Sequence, residues 1–393
     1  MNVNLLNTVI QEFIDDNLST NVTALLLKGI TFDGVEAKEV IEQIEAKNKC
    51  KDKLQTWFKT SNIYYPNKLN IEQTSSEATA QYKSDIINGK TIIDLTGGFG
   101  VDCFYFSKNF EKATHCEIDT KLSNIVTHNY KLLGVNNIET VNDNGLEYIK
   151  NFIKEYDWIY IDPSRRHDSK GKVFYLKDCL PNVPEHLELL FKHSNNILIK
   201  VSPMLDISVG LSELKFVKDI HIIAVNNEVK ELLFYLEKDF DGNIMVKTVN
   251  TKKKNTELFN FNIDQEQLAE STIGFPQNYL HEPNAAILKA GAFKIVSQTL
   301  NIQKLHQHSH LYTSHDKIEF PGRSFKIIKT IPYSKKLVAK YIKNIKANIT
   351  IRNFPEPVDK IRTKFKIKDG GTLYAFFTIN CNNDKIVILC EKA

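Results

Sequence analysis

Thr91-Ile92-Ile93-Asp94-Leu95-Thr96-Gly97-Gly98-Phe99-Gly100-Val101-Asp102 is the stretch that decides the fold. An apolar run closes on Asp94 and Leu95, Gly97, Gly98 and Gly100 follow, and Asp102 opens an amphipathic segment. That order predicts a strand, a tight turn and the start of a helix. Glycine lets a backbone turn sharply and approach a ligand closely, and the helix beyond offers its amino end. The stretch reads as a nucleotide-cofactor loop.

Charge decides which cofactor. A dinucleotide fingerprint needs G-x-G-x-x-G, but counting from Gly98 the third glycine position is Cys103. Asp94 and Asp102 flank the turn, where carboxylates repel a pyrophosphate. S-adenosylmethionine carries an ammonium and a sulfonium, which acids attract. Glu117 ends the next apolar run, residues 113–118, where a carboxylate accepts hydrogen bonds from ribose hydroxyls. The pattern D-x-x-G-G-x-G-x-D with Cys116-Glu117-Ile118-Asp119 after it resembles the class I methyltransferases.

The chain has 393 residues, 25% charged and 42% hydrophobic, which predicts two or three domains of an ordinary globular protein. No apolar run approaches the roughly 20 residues of a membrane span, and no basic-then-apolar leader opens the chain, so a cytoplasmic location is expected. The six cysteines are scattered without a C-x-x-C pair, which fits reduced thiols better than a disulfide frame or a zinc site. The net charge of +4 hides an asymmetry. Residues 323–368 hold fourteen Lys or Arg against two acids, a local charge of +12 that leaves −8 on the remainder. A basic end on a mildly acidic body predicts a polyanionic partner held by that end.

Residues 1–70 read as helical, with apolar spacing at Leu5, Val9 and Phe13 and again at Val40, Ile41 and Ile44. Ser75-Ser76-Glu77 reads as a capped helix start, either a cap alone or a cap that also contacts the methionine end of a cofactor. Beyond the turn, apolar strands are expected at residues 113–118, 138–141, 158–161, 197–201, 221–225 and 232–236, with helical stretches between. This alternation predicts a doubly wound parallel sheet with ligands at the strand carboxyl ends. The last two strands, joined by residues 226–231 only, are expected to pair antiparallel. The sheet domain is expected to span residues 71–240, followed by a connector over 241–277. Residues 279–293 read as a helix with Pro283 early and Gly291 late.

In the carboxy-terminal region, Leu337, Val338, Tyr341, Ile342 and Ile345 mark one helix face, with Lys336, Lys340 and Lys343 on another. Lys360, Arg362, Lys364, Lys366 and Lys368 alternate with apolar or small residues, which reads as a strand with a basic face. A charge run is ordinarily a solvated face. Its repetition here with so few acids favours phosphate binding.

The chemistry is expected after the third, fourth and fifth strands. Asp143 and its neighbour Asn144 stand where an acid accepts from an adenine amino group, and an Asx turn is the structural alternative. Asp162-Pro163-Ser164-Arg165-Arg166 follows the fourth strand. Base-amino methyltransferases carry an acid or Asn, two prolines and an aromatic ring there; this chain keeps Asp162 and Pro163 but has Ser164 and Arg165 in the later places. Arg165 could stack through its guanidinium plane, or Arg165 and Arg166 could grip phosphate. Lys83, Asp162, Lys200 and Glu228 also resemble in order the Lys-Asp-Lys-Glu set of ribose 2′-O-methyltransferases, with salt bridges and solvated lysines as the plainer reading. His306, His308 and His310 alternate, but no carboxylate or cysteine completes a ligand set except Asp316, so no metal is expected.

From about residue 70 onward the chain resembles a bacterial family of class I methyltransferases that carry a small ferredoxin-like domain and a THUMP-like carboxy-terminal domain. The matching segments are Glu72-Gln73-Thr74-Ser75-Ser76-Glu77, residues 94–102, residues 162–166, Ile199-Lys200-Val201-Ser202-Pro203-Met204-Leu205-Asp206 and Asn227-Glu228-Val229-Lys230-Glu231-Leu232. Residues 282–291, Leu311-Tyr312-Thr313-Ser314, Phe320-Pro321-Gly322-Arg323 and Asp369-Gly370-Gly371 continue the match. The resemblance implies a Rossmann-like α/β sheet with its last strand antiparallel, a helical amino-terminal region, a ferredoxin-like domain over 278–321 and a basic α+β domain over 322–393. It implies an S-adenosylmethionine-dependent enzyme acting on structured RNA, tRNA or rRNA, at a base or a ribose 2′-O position. The rival readings are an RNA-binding protein with a non-catalytic methyltransferase domain, and a methyltransferase of small molecules or proteins. Candidate cofactor residues are Ser75, Ser76, Asp94, Thr96, Gly97, Gly98, Gly100, Asp102, Glu117, Asp143 and Asn144. Asp162, Pro163, Ser164, Arg165 and Lys200 are the candidate catalytic residues. Lys336, Lys340, Lys343, Lys360, Arg362, Lys364, Lys366 and Lys368 are the candidate nucleic-acid contacts.

Overall fold

A computed structural model describes residues 1–151, 154–165, 174–253 and 255–393, with Lys28 and Arg165 described by backbone alone. The chain divides into two compact units, residues 1–218 with 233–241, and residues 219–232 with 242–393. The strands of the first sheet are β1 (Gly89–Asp94), β2 (Phe110–Cys116), β3 (Ile138–Val141) and β4 (Trp158–Ile161). A short hairpin, β5 (Ser164–Arg165) with β6 (Cys179–Leu180), precedes β7 (Asn196–Val201), β8 (Val217–Val225), β9 (Glu228–Glu237), β10 (Met245–Thr251) and β11 (Thr256–Asn262).

β1 is the hinge of the topology. Its central residues Ile92 and Ile93 are buried, as a strand covered on both faces requires, and it pairs in parallel with β2 on one side and β4 on the other. β3 adds to β2 and β7 to β4, both parallel. The order β3-β2-β1-β4-β7 reverses direction of growth at β1, which opens the crevice where doubly wound sheets bind ligands. β8 and β9 are joined by Asn226 and Asn227 alone, both with positive φ (50° and 67°), the pair of left-handed residues that a two-residue antiparallel hairpin turn requires. β9 inserts between β7 and β8, so the expected reversed strand is present.

Residues 241–277, expected as a connector, instead hold β10 and β11 and the helix Ile263–Leu268. β10 pairs in parallel with β8 and antiparallel with β11, so the sheet has nine strands. Their polar composition, Lys247, Thr248 and Asn250 in β10, masks a strand whose Thr248 and Asn250 are nonetheless buried.

The amino-terminal region is helical as expected. Its core takes Leu5, Ile10, Ile14, Val40, Ile41 and Ile44, whereas Val9 is exposed. Trp57 closes this core edge-on against Phe104, at 4.9 Å between ring centroids, which ties it to the helix Val101–Phe106 that follows the glycine turn.

The second unit carries a seven-stranded sheet of β12 (Tyr279–Pro283), β13 (Gln303–Lys304), β14 (Tyr312–Ser314), β15 (Gly322–Pro332), β16 (Asn348–Ile351), β17 (Tyr374–Ile379) and β18 (Lys385–Lys392), in the order β13-β14-β12-β15-β18-β17-β16. Two expectations fail here. Residues 279–293 are a strand followed by the helix Ala285–Ala290, because Asn284 accepts from the Ile287 N–H and caps the helix only after Pro283. Residues 360–368 are not a strand: Val358–Phe365 is a helix that buries Ile361 and Phe365, and Lys366 ends it at φ 55°. Lys-apolar alternation over so few residues satisfies both periods, and the Ile361–Phe365 spacing of four is what the core selects. The helix Lys335–Ile342 buries Val338 and Ile342 and exposes Lys336 and Lys340, as its pattern predicts. His306, His308 and His310 do not share a strand face, and among the described residues no group of His, Cys, Asp or Glu is arranged to hold a metal ion.

Candidate active site

The carboxyl edge of β1, β2, β4 and β7 gathers the acids that the sequence singled out. Asp94 ends β1, is buried, and accepts from the Thr96 N–H at 2.9 Å, which folds the backbone back into the glycine turn. Burial raises the Asp94 carboxyl well above its usual range; the bond from Thr96 opposes this, and the charges of Asp102 and Asp162 add to it.

Two glycines are enforced by close contacts. A Cβ on Gly97 would lie 2.3 Å from Nε2 of His115, and one on Gly100, at φ 79°, would lie 2.3 Å from the Tyr130 hydroxyl. His115 is wholly buried on β2, and that burial holds its ring down at about 4, so it packs beneath the turn as a neutral group. At Gly98 a Cβ would meet only the Thr96 carbonyl oxygen, at 3.8 Å, so that side of the turn is open. Glu117, just past β2, accepts from the Gly98 N–H at 2.8 Å and the Asp119 N–H at 2.7 Å. Its carboxylate is thereby fixed against the turn.

Asp102 is the centre of a buried network. It accepts from the Tyr160 hydroxyl and from the Ser75 hydroxyl, each at 2.7 Å, and pairs with Lys83 at 3.2 Å. Lys83 Nζ also reaches the Ser75 Oγ at 3.1 Å. Burial alone would raise the Asp102 carboxyl, but the charges of Lys83 and Lys200 and the bonds from Tyr160 and Ser75 outweigh it and hold the group below its usual range. The loop before β1, the start of the helix after the turn and β4 are thus locked together. Ser76 caps the helix Glu77–Asp85 by accepting from the Thr79 N–H.

Asp162, one residue past β4, forms an ion pair with Lys200 of β7, and its N–H donates to the Thr96 Oγ1 at 2.7 Å. That bond joins the end of β4 to the glycine turn. Pro163 is buried, Ser164 is exposed, and the β5–β6 hairpin opposes Ser164 to Leu180. Arg165 contributes backbone to this hairpin; its side chain, and Arg166 altogether, lie outside the described residues. Asp143 is exposed after β3 and accepts from its neighbour's N–H, while Asn144 accepts from the Leu146 N–H at the start of the helix Gly145–Asn151. The bond from Leu146 to Asn144 is an Asx turn, the structural alternative offered for this stretch.

Within the first unit, Asp162 and Lys200 of the ribose-type set form an ion pair. Lys83 is fully buried and committed to Asp102, and Glu228 is exposed at the start of β9, where it pairs with Lys230 at 2.7 Å. Sequence reasoning missed Tyr160 and His115. A polar side chain inside an apolar strand run was the available signal for both.

The candidate nucleic-acid residues divide by environment. Lys336, Lys340, Lys343, Lys360, Lys366 and Lys368 are exposed. Arg362 pairs with Asp369 at 2.5 Å, and Lys364 pairs with Glu356 at 3.2 Å and donates to the Tyr333 hydroxyl.

Family models match a ferredoxin-like domain over residues 279–321 and a THUMP-like domain over residues 322–392. Among solved structures, a "putative methyltransferase" from Porphyromonas gingivalis W83 is 31% identical, covers 98% of each chain and superposes with a TM-score of 0.87. An rRNA methylase from Streptococcus thermophilus is 15% identical over 41% of this chain and 94% of its own, with a TM-score of 0.31. M. capricolum TrmK, solved with S-adenosyl-homocysteine, is 20% identical over 41% of this chain and 68% of its own, with a TM-score of 0.33. The last two are too distant to bear on this chain. No curated protein matches.

Proposed function

This chain belongs to the family of the Porphyromonas gingivalis protein, and from that premise we propose that it is an S-adenosylmethionine-dependent methyltransferase acting on RNA. The observation that carries the reading is the charge of the glycine turn. Asp94 and Asp102 flank the turn, where carboxylates disfavour a pyrophosphate, and Glu117 stands where a carboxylate accepts from ribose hydroxyls in either class of cofactor. The donor set fits a cationic amino-acid cofactor: Asp94 receives the ammonium, Glu117 the ribose hydroxyls, Asp143 the adenine amino group, and open Gly98 lets the ligand lie against the backbone. When bound, S-adenosylmethionine supplies a methyl group on a sulfonium.

The chain's own task is then alignment of the nucleophile, the form of catalysis in which positioning supplies most of the rate. Asp162, held by Lys200 and tied to Thr96, orients the acceptor from the end of β4, with Pro163 and Ser164 shaping the entrance. Lys83 anchors Asp102 and takes no part in deprotonating a substrate, which favours Asp162–Lys200 as the reacting pair over a four-residue ribose-type set. The acceptor is a base or a ribose of structured tRNA or rRNA, and the exposed lysines of residues 336–368 hold its phosphates. Among the described residues no helix is long and apolar enough to cross a membrane.

Incubation with methyl-labelled S-adenosylmethionine and total RNA from a strain lacking the gene, followed by digestion to nucleosides, tests the proposal. One labelled nucleoside, absent with Asp162→Ala, is the expected result. Label in protein or small molecules with none in RNA overturns the RNA reading.

A further inference from the structure

Two motifs in the second unit, Glu282-Pro283-Asn284 and Pro321-Gly322-Arg323, have no part in methyl transfer as proposed, yet they meet. Glu282 of β12 stands directly opposite Arg323 of β15 in the antiparallel ladder. The approach is so close that a Cβ on Gly322 would lie 2.1 Å from the Glu282 carbonyl oxygen. Only glycine permits that register. Arg323 donates from Nε, at 2.7 Å, and from a terminal nitrogen to the same carboxylate oxygen. Arg352, just past β16, places its own terminal nitrogen 2.7 Å from the other oxygen.

One carboxylate therefore holds two guanidinium groups, and a unit of positive charge is left over. The burial of the three partners differs sharply: the Glu282 side chain is 4% exposed, those of Arg323 and Arg352 44% and 37%. The surplus charge reaches solvent while its anchor does not. Arg323 spends Nε and one terminal nitrogen on Glu282, Arg352 also donates from its other terminal nitrogen to the Ile351 carbonyl oxygen at 3.2 Å, and among the described residues the buried Nε of Arg352 has no hydrogen-bond partner. Lys304, Nζ bonded to the Gln307 carbonyl oxygen, and His308 both act on the same ring as Arg352, that of His310. Burial first, and then those charges, hold His310 down at about 4, so it is neutral near pH 7.

We propose that Arg323 and Arg352, anchored on the buried carboxylate of Glu282, form an oxyanion site that takes a phosphate group. A guanidinium offers five donors in a planar fork that matches phosphate oxygens, and a fork held by a buried carboxylate is ordered before the ligand arrives. The site does not depend on methyl transfer.

Calorimetric titration of the full-length protein with inorganic phosphate tests it, with S-adenosylmethionine affinity and a thermal melt as controls on folding. Saturable millimolar binding is expected. Arg323→Gln should weaken it at least tenfold, and Arg323→Lys, which keeps the charge but not the fork, should give an intermediate loss. Arg352→Gln is the second variant if the first does not fold. A salt titration of RNA binding then identifies the source: a slope lowered by about one in Arg323→Gln assigns the site to a nucleic-acid phosphate, an unchanged slope to a free phosphate. Two results overturn the proposal: wild-type protein that binds no phosphate, or variants that melt lower yet bind phosphate as wild type does, the behaviour of an ion triad that only braces the sheet. Loss of RNA methylation with phosphate binding intact bears on the proposed function alone.

Discussion

The carboxyl edge of β1, β2, β4 and β7 and the carboxy-terminal region use charge in opposite ways. At the first, each ionised group is placed: Asp102 on Lys83, Tyr160 and Ser75, Asp162 on Lys200, Glu117 on two backbone N–H groups. At the second, Lys336, Lys340, Lys343, Lys360, Lys366 and Lys368 stand exposed, in a stretch carrying +12. Fixed, buried charge suits a small ligand whose atoms must be aligned. Exposed, mobile charge suits a polymer whose phosphates need only be neutralised.

The sharpest way to break the first half of this contrast is to strip a buried partner. Asp94→Ala should abolish S-adenosylmethionine binding, and Glu117→Ala should weaken it at least tenfold, both read by calorimetry. A mutant of wild-type affinity removes the assignment. Lys83→Met leaves Asp102 as an unpaired buried carboxylate, so unfolding in urea should show a loss of about 3–5 kcal/mol. Lys83→Met with Asp102→Asn should recover part of it, because the double change removes the stranded charge.

Titration sharpens the same point by sign. Asp94 is raised in the folded state, so its contribution is full at low pH and is lost as pH rises through the folded value. Asp94→Asn should therefore stabilise the ligand-free protein near pH 7 while losing the cofactor. Asp102 is lowered, so its contribution is present above the unfolded value and is lost as pH falls through the folded one. His115 is a base held down at about 4, and it costs stability as pH falls below the ordinary histidine value toward 4. His115→Asn should flatten the urea-stability profile in that window by up to about 1.4 kcal/mol per pH unit.

The nine-stranded sheet was largely legible because its strands are apolar runs: the reading of residues 138–141 and 158–161 coincides with β3 and β4. The glycine turn and its flanking acids were legible from spacing alone. β10 and β11 were not, since a strand with Lys247 and Asn250 carries no hydrophobic alternation strong enough to announce it. Val358–Phe365 failed for the opposite reason, a short alternation that a helix fits equally well. The Lys83–Asp102 pair joins two separate elements, and only the assembled fold brings them together.

The smallest effects belong to the exposed region. Single Lys→Gln changes at Lys360, Lys366 or Lys368 should lower RNA affinity only a few-fold and reduce the salt slope by about 0.7–0.9 each in filter binding. Asp369→Ala, which frees Arg362 from an exposed partner, should change stability by less than about 1 kcal/mol.

Calorimetric titration of the purified protein with S-adenosylmethionine, beside NAD as a pyrophosphate-bearing control, tests the central claim most directly. The charge of the glycine turn predicts saturable binding of the first, weakened at least tenfold by Glu117→Ala, and no binding of the second. Binding of NAD without binding of S-adenosylmethionine contradicts it.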